Sequence, residues 1–147
     1  YVRRYINADA TEWNAFVSKA KNATFLLSRG YMDYHSDRFT DCSLMVYTLN
    51  DNGKAPLLIA LLPATIHDYE LRSHGGLTYG GLIMGNDMTD AWVKCGFGPT
   101  ATYHNDRLFF TIDHVLYRGD MEAVEMHRHK EGSSDHYPLV TTFVWKR

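Results

Sequence analysis

The sequence has no surplus of positive charge. Its 147 residues carry 15 Lys and Arg against 17 Asp and Glu, a formal net charge of −2. That leaves no basic footprint for a nucleic-acid backbone and no polybasic patch for an anionic membrane surface. A polyanionic substrate would need a bound metal to attract it. Cysteine is scarce as well. Cys42 and Cys95 are the two present, too few for a disulfide framework and not in a CxxC pair. They read as reduced, mostly buried thiols of a cytoplasmic protein. Long apolar runs are missing: the longest, Pro56 to Ala64, contains two prolines and is far shorter than the roughly 20 residues of a membrane-spanning helix. No secretory signal is read at the start, and the opening residue, Tyr1, leaves an earlier start open. No Walker A or GxGxxG pattern occurs, although Ser73 to Gly81 is rich in glycine.

What is present is a globular composition, 45% hydrophobic and 22% charged. Aromatic content is 14%, with ten tyrosines, so several rings must be partly exposed or line a cleft. The length suits one domain. Folding at this size buries roughly 70% of the unfolded surface, enough for a core without staples.

Read in order, Val2 to Ile6 is a short strand. Asp9-Ala10-Thr11-Glu12 has the form of a capping box, and Trp13, Phe16, Val17 and Ala20 follow at the spacing of one apolar helix face. A helix is therefore predicted near residues 10–21. Tyr31 to Phe39 reads as a short helix or a surface turn with buried rings. Strands near 43–49 and 57–62, joined by Asn50-Asp51-Asn52-Gly53, make a β-hairpin. A further strand is expected at Ile66 to Leu71, then a kinked edge strand or a phosphate-cradling loop over Ser73 to Gly81. The sequence changes character at Gly85-Asn86-Asp87-Met88. A helical turn is predicted at Thr89 to Lys94, and strands near 108–117, 122–129 and 139–145, the last three as one antiparallel set. The fold class expected is α+β, mainly antiparallel sheet with one or two packed helices, as one compact unit.

Two polar doublets stand out in the second half. Asp113 lies among Phe109, Phe110, Ile112, Val115 and Leu116, and Asp135-His136 precedes Leu139, Val140, Phe143 and Val144. A carboxylate in an apolar run is costly without a partner. An imidazole at a strand end can supply one, and an Asp–His contact fixes a histidine tautomer for work on a substrate. The structural alternative is a pair of satisfied polar residues at strand ends. His127 and His129, at i and i+2 on one side of a strand, could bind zinc with His114 or His104, or could simply be solvated. Neither cysteine lies near a base in sequence.

From about residue 87 to the end, the chain resembles the C-terminal part of the endonuclease/exonuclease/phosphatase family, the deoxyribonuclease-I-like metal-dependent phosphoesterases. The resemblance rests on Asp90-Ala91-Trp92, Thr102-Tyr103-His104, Ile112-Asp113-His114-Val115-Leu116-Tyr117 and Ser134-Asp135-His136-Tyr137-Pro138-Leu139. It implies that Asp113 orients a catalytic His136, which contacts the scissile phosphate. It places Asp135 by the attacking water and a Mg²⁺ (or Mn²⁺) ion, with a phosphorylated small molecule or a phosphodiester as substrate. The family's N-terminal Asn and Glu metal site, central histidine and Gly-Asp-Phe-Asn motif have no counterpart before Asp90. The expectation is therefore half of a site, without the family's full activity in this chain alone.

Residues 1–86 form the other segment, and about 1–84 of it resemble the N-terminal part of GNAT-type acyltransferases related to the Fem aminoacyl transferases. The matching stretches are Trp13 to Phe16, Arg29 to Phe39, Ser43 to Val46, Leu61, Pro63 and Ala64, and Ser73 to Gly81. This resemblance implies an acyltransferase segment, but no strand and helix of the kind that bind acyl-coenzyme A follow it. A joined or recombined chain that serves only as a structural or binding unit is the non-enzymatic alternative.

Overall fold

The computed structural model describes residues 1–49, 55–73, 80–97, 101–105, 108–110, 113–129 and 135–146, with backbone only at 104–105 and 108–110. The fold is α+β, and every paired strand is antiparallel to its neighbour. The chain forms two compact units, Tyr1–Asn86 and Asp87–Arg147. No described helix is long and apolar enough to cross a membrane.

The first unit is built on a four-stranded sheet in the order β1 (Val2–Arg4), β3 (Leu44–Tyr47), β4 (Leu58–Leu62), β7 (Ile83–Met84). β3 and β4 are the expected hairpin, and Met45 pairs with Leu61 at its centre. The turn predicted at Asn50–Gly53 lies outside the described residues. Helix α1 (Ala10–Val17) turns Trp13 and Val17 inward, one turn apart, onto Met45, Tyr47, Leu58, Leu61 and Ile83. It ends at Val17, short of the predicted boundary near 21. The Asp9–Glu12 capping box does not form either. Asp9 instead accepts from the Ile6 amide at 3.0 Å and binds Arg3, closing a preceding 3-10 turn at Asn7–Asp9. Glu12 accepts from the Tyr47 hydroxyl at 2.8 Å.

Tyr31 to Phe39 opens as helix, in α2 (Arg29–Met32) and a 3-10 turn at Asp33–His35, and Tyr34 is exposed. A second sheet runs β2 (Thr40–Asp41), β5 (Thr65–His67), β6 (Glu70–Arg72). The predicted strand at Ile66 to Leu71 is thus two strands, folded back at Asp68, whose φ is +53°. Of the glycine-rich stretch, residues 74–79 lie outside the described set. At Gly80 a Cβ would meet the Ser73 carbonyl oxygen at 2.4 Å, so the close return of this segment requires glycine.

The second unit begins with β8 (Thr89–Asp90), which runs into helix α3 (Ala91–Cys95). The Asp90 carboxylate caps that helix, accepting from the Trp92 amide at 2.9 Å. The strand predicted over 108–117 is broken: β10 (Leu108–Phe110) pairs with β9 (Tyr103–Asn105), and β11 (Leu116–Tyr117) pairs with β8. It does not join a three-stranded set. β12 (Met121–Arg128) and β13 (Leu139–Trp145) form a long hairpin as a separate two-stranded sheet. α3 packs on β12, so that Ala91, Ala123 and Met126 are buried among Trp92, Cys95, Val115, Tyr117, Leu139 and Phe143.

Trp13 is the hub of the first core. It is fully buried, stands edge-on to Tyr5, and its indole N–H donates to the Leu27 carbonyl at 2.8 Å. Trp13→Ala is expected to destabilise this unit by about 3–5 kcal/mol, measured as a shift of its urea transition by far-UV circular dichroism. A loss below about 1 kcal/mol would mean that this core is not packed as described.

Candidate functional site

Asp113 lies in an irregular segment between β10 and β11, not mid-strand as expected. Its position is set by Thr102, a fully buried residue whose hydroxyl accepts from the Asp113 amide at 3.0 Å. The same short segment holds His136. Tyr137 N–H donates to the Thr102 carbonyl at 2.7 Å, and Tyr103 and His136 form an antiparallel bridge. Two segments distant in sequence thus meet across Thr102–Tyr103.

The meeting places His136 Nδ1 at 2.8 Å from Asp113 Oδ2 and 3.0 Å from Oδ1. Tyr103 stands edge-on to the imidazole, with ring centroids 5.3 Å apart. Burial raises the Asp113 pKa, but hydrogen bonds from Thr102 and His136, with the charges of His136 and His114, outweigh it and leave the carboxyl below its ordinary range. Both side chains remain open to water, His136 at 42% and Asp113 at 38% exposure. The pair is therefore reachable by a ligand, and its ion-pair energy is screened. An unpaired Asp113 would not carry the several-kcal/mol penalty of a fully buried charge. Asp135, next to His136 in the chain, is exposed rather than enclosed.

A second pair was not foreseen. His114 Nδ1 lies 2.7 Å from Asp90 Oδ2. The β8–β11 ladder, with Asp90 opposite Leu116, brings them together, supported by the Ala91 amide donating to Val115. Asp90 is 9% exposed and holds two partners, the His114 ring and the Trp92 amide. Sequence offered one clue, an aspartate at the start of a helical turn, which marks a cap but names no histidine. His114 does not converge with His127 and His129 into a three-ligand group among the described residues, and the side chain of His104 lies outside the described residues. The His127 and His129 rings are neighbours, with centroids 6.1 Å apart.

Comparison with protein-family models, curated proteins and solved structures finds no match.

A magnesium or manganese ion takes about six oxygen ligands, usually with one or two carboxylates from the protein. Both Asp113 oxygens lie against His136, and the Asp90 oxygens against His114 and Trp92. Among the described residues no group of three or more His, Cys, Asp or Glu side chains converges to hold a metal. The exposed Asp135 carboxylate by itself does not fit such an ion.

The depressed Asp113 pKa fixes the sign of a pH effect. Relative to an ordinary value of 3.8, the lowered folded-state pKa adds stability that is complete above the unfolded pKa and is lost as pH falls through the folded one. Asp113→Asn is expected to lower stability at pH 6–7 by less than about 1 kcal/mol, given the exposure of the pair, and to converge on wild type in acid. Urea midpoints of both proteins between about pH 2.5 and 7 measure this. A difference that persisted unchanged into acid would remove the charge-based account.

Proposed function

We propose that this chain is a phosphoester hydrolase carrying the histidine-bearing half of its site, acting on a phosphorylated small molecule or a phosphodiester. The observation that carries this reading is the 2.8 Å contact between Asp113 and His136 Nδ1 at a water-accessible surface. A carboxylate on Nδ1 favours the proton there and directs Nε2 toward a ligand. Nε2 is then the nitrogen that meets a phosphoryl oxygen, and the imidazolium offsets the charge that grows there in the transition state. Asp135 is the candidate to orient the attacking water, whose oxygen bonds to phosphorus as the ester P–O bond breaks. The described carboxylates around this pair do not fit a Mg²⁺ or Mn²⁺ ion, so either ion belongs to the reading only with donors from the substrate or from elsewhere.

The second reading is a non-catalytic binding or structural unit. Asp90–His114 favours it, because the same Asp–His contact occurs there on a carboxylate already used to cap α3.

The test is hydrolysis of bis-p-nitrophenyl phosphate by the full chain, with and without Mg²⁺ or Mn²⁺. His136→Ala is expected to lower the rate by about 10²-fold or more, with Asp113→Asn intermediate. Equal rates for wild type and His136→Ala, or a wild type no faster than buffer, would leave the binding or structural reading.

A further inference from the structure

We propose that His127 and His129 form a two-imidazole chelate for a divalent transition-metal ion, Cu²⁺, Ni²⁺ or Zn²⁺, at the C-terminal end of β12, with His127 in the strand and His129 one residue past it. The site is separate from the Asp113–His136 pair and does not depend on the hydrolase reading.

The argument starts from strand geometry. Side chains two apart on a strand share a face, and both histidines are exposed on theirs. The backbone beneath them is fixed: His127 pairs with Val140, Arg128 with Leu139, and the His129 amide donates to the Pro138 carbonyl at 2.9 Å. The cation between them is drawn away. The Arg128 guanidinium donates to the Ala101 carbonyl and lies 4.8 Å from the Tyr137 ring centroid. Glu125, two residues before His127, is also exposed and adds negative charge nearby.

The ring centroids stand 6.1 Å apart. Two imidazoles on one ion, with metal–nitrogen bonds near 2.0–2.1 Å, bring centroids to roughly 5 Å. Exposed side chains close that difference by small rotations about χ1 and χ2. Imidazole suits copper, nickel and zinc, whereas Mg²⁺ prefers oxygen. With no third ligating side chain converging among the described residues, water or a ligand's own donors complete the coordination.

The experiment is competition between the full chain and a chromophoric chelator for Cu²⁺, Ni²⁺ and Zn²⁺, with Mg²⁺ as a fourth arm. The variants are His127→Gln, His129→Gln, His67→Gln and Asp135→Asn, each checked for fold by circular dichroism. His67 is an exposed histidine of the first unit. Wild type is expected to take one equivalent, Cu²⁺ more tightly than Zn²⁺, and to gain thermal stability from it. Each single substitution at His127 or His129 should weaken binding by about 10²-fold, because the second imidazole acts at high effective concentration. His67→Gln, Asp135→Asn and the Mg²⁺ arm should change nothing. The proposal is overturned by a wild type that binds no tighter than either variant, by a loss confined to one of the two histidines, or by a loss on Asp135→Asn, which would place the ion beside His136. Hydrolase activity does not enter the outcome, so this proposal and the hydrolase reading can fail separately.

Discussion

Arg29 carries a full positive charge into the interior of the first unit, where it is 1% exposed. A charge taken out of water must find partners or destabilise the fold by several kcal/mol. The partners here come from every side of the local sequence. Asp41 forms an ion pair with Nη1, and Asp33, one helical turn on, lies 3.6 Å from the same nitrogen. The guanidinium carbon sits 3.3 Å from the Tyr5 ring centroid and 4.0 Å from that of Trp13. Nε and Nη2 have no hydrogen-bond partner among the described residues, so the aromatic faces supply the attraction that hydrogen bonds would otherwise give. The Asn14 side chain takes the Arg29 amide at 2.8 Å. One arginine thereby fixes α1, α2 and β2 around the ring that centres the core.

The second unit meets the same constraint with carboxylates and solves it in two ways. Asp90 is nearly buried, and its oxygens are held by an imidazole and a helix-capping amide. That carboxylate has a structural task whatever His114 does. Asp113 is more open, and what fixes it is Thr102 and the imidazole itself. An Asp–His contact is evidence for chemistry only where the imidazole can still meet a ligand. Exposure of the imidazole does not separate the two, since His114 is as open as His136; what separates them is the carboxylate, which caps a helix at Asp90 and is open to water at Asp113. The two pairs share one chemistry and differ in how much of the carboxylate is already committed.

Much of the framework was legible in sequence because it follows from local periodicity. The apolar runs over Leu44–Tyr47 and Leu58–Leu62, joined by Asn50-Asp51-Asn52-Gly53 in sequence, predict a hairpin, and Trp13 with Val17 gives a helix face. The contact between Asp113 and His136 was reachable from the cost of a carboxylate among apolar residues, although Asp113 proved more exposed than that argument assumed. What local pattern could not give was partner choice. Phe110 and Leu116 lie in one apolar run, yet their strands pair with different neighbours. Asp9 has the spacing of a cap for α1, but Arg3 and the Ile6 amide claim its carboxylate. Asp90 and His114 meet through a ladder between distant segments, which no spacing rule encodes.

The hairpin of β12 and β13 shows why one such irregularity matters. Ala123 and Met126 are both buried, although three residues apart on a regular strand face opposite ways. The register explains it: Ala123 lies opposite Phe143 and Met126 opposite Thr141, and the ladder shifts between Ala123 and Glu125. A bulge there adds one residue and reverses the parity. Both apolar side chains then face α3, while Glu125, His127 and His129 face outward. A strand without the bulge could bury Met126 or Ala123, but not both. Choosing Ala123 would turn His127 and His129 into the core, where two unpaired imidazoles are costly. The same register carries β13 back through Pro138 to His136 beside Thr102. A single extra residue at Val124 thus decides which side chains of this hairpin form the core and which are left for chemistry.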